Sequence, residues 1–140
     1  MVTNVRLTGS QTTTREESDI RINTDNISQI ICASTRLGNT QPMSFSTDGG
    51  ATWSQANLPQ FTGDARQGDP TIDWTSDGTG WTVTIGIVTT SDLHLRTYKS
   101  TDQGATWTFD STVTTTQSAM DKQALWKDQM PPTRTGSGLG

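Results

Sequence analysis

Two nearly identical octapeptides constrain the fold of this chain more than any other feature. STDGGATW occupies residues 46–53, STDQGATW occupies residues 100–107, and the two copies differ only at their fourth position. Both fit the pattern Ser-x-Asp-x-Gly-x-x-Trp. Such internal identity in a short chain is typical of a repeat architecture. The sequence therefore predicts a domain built from repeats of one small unit.

Each octapeptide has the residue types of a tight hairpin turn. Serine and aspartate side chains bond nearby backbone amides, glycine adopts the positive φ that other residues resist, and the tryptophan anchors the returning strand by burial. A calcium loop is the alternative role for the aspartates, but no series of Asp/Asn ligands ending in Glu follows either copy. The residues given this structural role are Ser46, Asp48, Gly50 and Trp53 in the first copy and Ser100, Asp102, Gly104 and Trp107 in the second.

The octapeptide resembles the Asp box, or BNR repeat, of sialidases and other β-propeller proteins. Proteins of that family often open a blade with an acidic residue, an apolar-x-apolar strand and an Asn/Asp turn, as residues 17–26 do here. The resemblance covers about residues 17–128. It implies a sialidase-like propeller and, by analogy with the family, an extracellular or cell-surface location, although no signal peptide is visible.

Repeat starts at Glu17, Asp69 and Asp121 lie 52 residues apart and divide the chain into blades of four short strands. The expected fold is all-β, with antiparallel four-stranded blades forming a partial β-propeller. Residues 1–16 are a polar leader or outer strand, 17–68 are blade one, and 69–120 are blade two. Residues 121–140 supply the first strand of a third blade and a Gly/Pro-rich tail. In residues 81–89 apolar side chains alternate with Thr and Gly, as in a half-buried strand. Closure needs further blades from a longer chain or an oligomer.

Charge and composition exclude several partners. The formal net charge is −4 and the pI is about 4.7, so the basic patch of a nucleic-acid-binding protein is missing. No apolar run is long enough to span a bilayer. The single cysteine, Cys32, lies in an apolar strand-like run and is expected to be buried. We expect no cofactor and no metal.

The end of the blades opposite the octapeptides is the predicted binding face. It receives the starts of the inner strands and the loops that join the second strand of each blade to the third. The candidate residues there are Glu17, Arg36, Arg66, Asp69, Asp121 and Lys122. Their carboxylates suit a glycan site or a metal; alternatively, each one merely caps its strand entry.

No catalytic residue is assigned. Sialidases need an arginine cluster and a Tyr nucleophile activated by Glu, whereas every arginine here lacks the family's Phe/Tyr-Arg-Ile-Pro context. Tyr98 is the sole tyrosine, and it lies on a strand that leads toward the octapeptide end. The first hypothesis is a scaffold that binds glycan or protein without a complete active site. The second is a fragment of an exo-sialidase or related glycoside hydrolase, with its catalytic residues mostly elsewhere. The third is a repeat protein whose protomers close the ring.

Overall fold

The computed structural model describes residues 5–7, 13–36, 38, 40–114, 116–121 and 123–126. Eight strands form two antiparallel four-stranded sheets in simple sequential order. Sheet one contains β1 (Arg15–Ile22), β2 (Ile30–Arg36), β3 (Pro42–Ser46) and β4 (Ser54–Asn57). Sheet two contains β5 (Arg66–Trp74), β6 (Gly80–Thr89), β7 (Asp92–Ser100) and β8 (Thr108–Thr112). We call the sheets blade one and blade two. The prediction of an all-β fold with antiparallel four-stranded blades is confirmed.

Within each blade the turns alternate between two ends. The octapeptides join β3 to β4 and β7 to β8, and the turns after β1 and β5 lie at the same end. We call this the lower end. The β2–β3 and β6–β7 loops and the starts of β1 and β5 lie at the opposite, upper end. The predicted separation of the octapeptides from the candidate residues therefore follows from the antiparallel order of the strands.

The two blades pack face to face, with β1 and β2 of blade one against β5 of blade two. A single apolar core fills this seam. It contains Ile31, Ala33, Met43 and Leu58 from the first half of the chain and Ile72, Trp74, Tyr98 and Trp107 from the second. Because the core residues come from both blades, each blade buries its apolar face only through contact with its neighbour.

Strand β6 is not buried as its alternation predicts: its threonine face is fully buried, and of its apolar face Ile85 is buried. Thr82 and Thr84 are fully buried against blade one, whereas Trp81 and Val83 are half-buried on the far side. Each threonine satisfies its hydroxyl on β5: Thr82 Oγ1 donates to the carbonyl of Thr71 at 3.0 Å, and Thr84 Oγ1 donates to that of Gly68 at 2.6 Å. Small side chains whose hydroxyls are hydrogen-bonded therefore fill the seam where the two blades lie close together. Hydrophobicity alone does not identify the face of β6 that contacts blade one.

Blade one also carries a face whose counterpart in blade two is covered. Ile20 and Ile22 on β1 are 49% and 54% exposed. The residues 52 positions later, Ile72 and Trp74, are 0% and 4% exposed because blade one lies against them. The same positions of the repeat thus have very different surroundings in the two blades.

The chain beyond blade two begins to repeat the seam. The backbone N–H of Leu125 donates to Thr71 Oγ1 at 3.4 Å, and the Gln123 side-chain amide donates to the carbonyl of Val83 at 3.0 Å. Residues 123–126 therefore approach β5 much as β5 approaches β1. The domain boundaries proposed at residues 17, 69 and 121 stay a prediction.

None of the described residues forms a helix, so the described part of the chain offers no helix that could cross a membrane.

Candidate functional site

A cleft of about 220 Å³ lies at the upper end of the seam between the two blades. Blade one contributes the end of β2 and the start of β1, and blade two contributes the start of β5. We call this space the upper cleft. Its walls are formed by Glu16, Thr35, Arg36, Gly38, Arg66, Gln67, Gly68, Asp69 and Ile87.

Asp69 has the most unusual backbone in the cleft. Its φ is +51°, in the left-handed region that residues with a Cβ seldom adopt. The pairing of β5 with β6 shifts register between Gly68 and Thr71, so that Asp69 lies in a β-bulge. Glu17, 52 residues earlier, has a φ of +48° in the matching bulge of β1. The repeat thus places an acidic residue at the same bulge in both inner strands.

Side chains from three different segments hold the backbone around Asp69. The Asp69 N–H donates to Thr35 Oγ1 of blade one at 2.8 Å. The carbonyl of Gly68, in the same peptide group, accepts from Thr84 Oγ1 at 2.6 Å. The carbonyl of Asp69 accepts a hydrogen bond from the side-chain amide of Gln123. These bonds replace the strand pairing that the bulge interrupts.

The charged side chains of the upper cleft balance each other. Arg36 and Arg66 supply two positive charges, and Glu16 and Asp69 supply two negative charges. The Arg36 guanidinium donates to Thr40 Oγ1 at 2.6 Å, which fixes its direction at the rim. Several hydrogen-bond donors and acceptors therefore meet around a space without a large net charge.

The structure brings together three of the six predicted binding residues: Arg36, Arg66 and Asp69. Glu17 lies one residue beyond the cleft wall, which Glu16 forms instead. Asp121 is exposed at the start of the third repeat, and Lys122 lies outside the described residues. Sequence reasoning missed Glu16 because the bulge changes which of two adjacent glutamates faces the cleft. Their role as a binding set stays a prediction.

The octapeptide residues form two nearly superimposable networks at the lower end. Ser46 Oγ donates to Asp48 Oδ1 at 2.8 Å, and Asp48 Oδ1 also accepts from the N–H of Thr52 at 2.8 Å. Trp53 Nε1 donates to the carbonyl of Gly50 at 3.0 Å. The corresponding distances in the second copy, from Ser100 to Asp102, from Thr106 to Asp102 and from Trp107 to Gly104, are the same.

These hydrogen bonds change the acidity of both aspartates. The Thr52 hydroxyl, the Thr52 N–H and the Ser46 hydroxyl lower the pKa of Asp48 to about 2. At Asp102, burial acts to raise the pKa, but the hydrogen bonds from Thr106 and Ser100 outweigh it and lower the pKa. Both carboxylates are thus occupied by the turn itself.

Tyr98 is fully buried in the seam, and its hydroxyl accepts a hydrogen bond from Gln67 Nε2 at 2.6 Å. Burial raises its pKa to about 12, with the nearby Asp64 acting in the same direction. A neutral, enclosed phenol of this kind has no access to a ligand.

Among the described residues, no group of three His, Cys, Asp or Glu side chains has the arrangement of a metal site.

Four-stranded antiparallel blades packed face to face are the repeating unit of β-propellers, which arrange such blades around a central channel. Residues 3–127 match the N-terminal domain of glycosyl hydrolases family 32, which is a β-propeller, and the chain belongs to this family. The chain therefore forms part of a β-propeller, as predicted. A search of curated proteins gives no match.

The predicted membership of the Asp-box sialidase family is wrong. The match over residues 3–127 is to glycosyl hydrolases family 32 and not to a BNR repeat family. The octapeptide led to the wrong family because its side-chain hydrogen bonds join residues within the same eight positions. The motif therefore specifies a hairpin turn and does not by itself specify a family. The class of glycoside hydrolase propellers, which was part of the second hypothesis, is supported.

Proposed function

We propose that the upper cleft is the carbohydrate-binding part of a glycoside hydrolase propeller and that Asp69 supplies one of its acting carboxylates. The observation that carries this proposal is the position of Asp69. It lies half-buried in the cleft wall, in a left-handed bulge, together with the side chains of Arg36 and Arg66. Backbone strain of this kind persists where surrounding contacts enforce it, and it is frequent at functional sites.

The chemistry of glycoside hydrolysis supports this assignment. Most such enzymes act with a pair of carboxyl groups that flank the bond to be broken, one of them ionised and one able to donate a proton. Asp69 is the better of the two cleft acids for a fixed role because its backbone is held on both sides. Arg36 and Arg66 can donate hydrogen bonds to sugar hydroxyl groups while the carboxylates accept from them.

Glu16 is a less suitable proton donor. Its residue is exposed, whereas a carboxylic acid that stays protonated near neutral pH needs an apolar, enclosed environment. We therefore expect the second carboxyl group of a hydrolytic pair to come from another blade of the propeller. In this proposal the chain binds sugar through the upper cleft and supplies part of a shared active site.

Titration of the full chain with a panel of neutral and anionic oligosaccharides, followed by calorimetry, tests the proposal. Asp69→Asn should weaken binding of the best oligosaccharide by about tenfold or more, because hydrogen bonds to a charged group contribute about 1.5–3 kcal/mol. The matched control is Asp110→Asn, which removes a carboxylate that pairs with Lys99 at 2.9 Å on the outer strands. That variant should bind like the wild type.

Release of reducing sugar, measured on the same samples, separates binding from hydrolysis. Binding without release is expected if the second carboxyl group lies in another blade, and it would equally suit the hypothesis of a binding scaffold. An Asp69→Asn variant that binds every oligosaccharide as tightly as the wild type would contradict the assignment of the upper cleft.

A further inference from the structure

The peptide group between Gly68 and Asp69 forms hydrogen bonds with side chains of both blades. Its carbonyl accepts from Thr84 of blade two at 2.6 Å, and its N–H donates to Thr35 of blade one at 2.8 Å. Rotation of this peptide toward an extended conformation would break both bonds. The conformation that directs Asp69 toward the cleft therefore depends on a hydroxyl group that belongs to the neighbouring blade.

Thr35 is well placed for such a role. It lies on β2 directly before Arg36, and both residues form the cleft wall opposite β5. A Cβ on Gly68 would lie 3.6 Å from Thr35 Cγ2, so the methyl group and the hydroxyl of Thr35 rest against the same stretch of β5. The threonine side chain thus provides both packing and a hydrogen-bond acceptor at the bulge.

The repeat itself offers an internal comparison. Thr35 pairs with Glu16 in blade one, and in blade two the corresponding partner of Gly68 is Ile85. Ile85 is buried and has no polar atom in its side chain. The fold of a blade therefore does not require a hydroxyl at this position. Thr35 supplies one where blade one borders the upper cleft.

We propose that Thr35 is a positioning residue for Asp69: its hydroxyl accepts the Asp69 N–H across the seam and holds the carboxylate in the direction that the upper cleft requires. The importance of that direction for sugar binding rests on the function proposed above. The hydrogen bond itself can be tested without any ligand.

Thr35→Val is the informative substitution because valine keeps the shape of threonine and removes the hydroxyl. The Asp69 N–H then loses its partner, and we expect its hydrogen exchange in the full chain, measured by NMR, to become about tenfold faster. Thr35→Ser restores an acceptor at the same place and should return the exchange rate to within about twofold of the wild type. Thr97→Val is the matched control, because Thr97 Oγ1 accepts the N–H of Ser111 at 3.1 Å on the outer strands. It should leave Asp69 unchanged.

The exchange rates also distinguish positioning from general destabilisation. Amides of buried seam residues such as Ile31 and Tyr98 should keep their rates in Thr35→Val. Equal acceleration at all of these amides, or no acceleration at Asp69, would overturn the proposal. If Thr35→Val proves too unstable to measure, Thr35→Ser and Thr35→Ala provide the same comparison of a side chain with and without a hydroxyl.

Oligosaccharide titration of the same variants then connects the hydrogen bond to function. Thr35→Val should weaken binding by about threefold to tenfold, and Thr35→Ser should recover it. If Asp69→Asn binds normally, the proposed function fails while the exchange data still decide whether Thr35 holds Asp69. If Asp69→Asn weakens binding but Thr35→Val does not, the positioning role fails and the function stands.

Discussion

The two octapeptides have the same internal geometry and different surroundings. In both copies the serine hydroxyl lies 2.8 Å from the aspartate, and the indole N–H lies 3.0 Å from the glycine carbonyl. Trp107 is nevertheless only 5% exposed, whereas Trp53 is half-buried. The turn is thus determined by the octapeptide, while the burial of its tryptophan is determined elsewhere.

The difference arises from the blade that lies against each turn. A Cβ on Gly104 would come within 2.7 Å of Ile31 Cγ2 and 3.0 Å of Phe45 Cβ, both in blade one. A Cβ on Gly50 would meet side chains of its own blade at ordinary contact distances, Ile30 at 3.5 Å and Trp53 at 3.8 Å. The second octapeptide is therefore part of the seam between blades, and the first is not part of that seam.

Truncation of the two tryptophans should give the largest difference in stability between the two octapeptides. Trp107→Ala removes an indole from the shared core and should lower the free energy of unfolding by about 3–5 kcal/mol, as large aromatic truncations in cores do. Trp53→Ala removes a half-buried ring and should cost less than half as much. Denaturant unfolding measures both, and equal losses would show that the octapeptides stabilise the blades independently of the seam.

Alanine at the two turn glycines should give a smaller difference. Gly50 and Gly104 have φ values of +91° and +96°, so both substitutions carry a similar backbone penalty. Only Gly104→Ala also forces atoms together, which should cost about 1–3 kcal/mol more than Gly50→Ala. Thermal unfolding followed by circular dichroism compares them directly. A more stable Gly104 variant would mean that the blades do not approach this closely.

The acidity of the two aspartates should give the smallest difference. The pKa of Asp48 is about 2 in the folded chain, below its ordinary value of 3.8. Its stabilising contribution is therefore present above pH 3.8 and is lost as the pH falls toward 2. Carbon-13 NMR of the carboxyl groups should show this midpoint, and Thr52→Ala should raise it.

The matched substitution in the second copy is Thr106→Ala, which should raise the pKa of Asp102 in the same sense. Because burial opposes the hydrogen bonds at Asp102, its pKa should be lowered less than that of Asp48. A titration midpoint for Asp48 near 3.8 would contradict the lowering of its pKa by the hydrogen bonds of the turn.

The sequence was sufficient to predict the repeat, the four strands of each blade and the end at which each loop lies. These features depend on local turn chemistry and on alternation, both of which are visible in a single chain. The starts of β1 and β5 were harder to predict: these strands begin at Arg15 and Arg66, before the predicted repeat starts at Glu17 and Asp69, because each continues through a bulge. A bulge leaves no clear mark in the pattern of apolar residues.

The candidate site could be predicted only in part for a related reason. Arg36, Arg66 and Asp69 were predicted to lie on one face because they lie at strand ends that topology brings together, and they line the same cleft; their role in binding stays a prediction. The sequence did not predict Thr35 and Glu16 in the cleft wall. The position of Glu16 depends on the bulge in β1, and the contact of Thr35 with Asp69 depends on how the two blades pack, neither of which the sequence displays. The family was assigned wrongly because the strongest local motif reports a turn, whereas the family match extends over residues 3–127.

The hydrogen bonds across the seam have a consequence for the order in which the chain assembles. Thr71 and Ile72 bond to Asp19, Trp74 bonds to Arg21, and Leu125 bonds to Thr71, each across 52 to 54 residues. During synthesis the earlier partner of each inner strand has already left the ribosome when that strand emerges, so we expect blades to be added from the N-terminus toward the C-terminus. Each finished blade then serves as the template for the next, and the newest one remains exposed until its successor arrives.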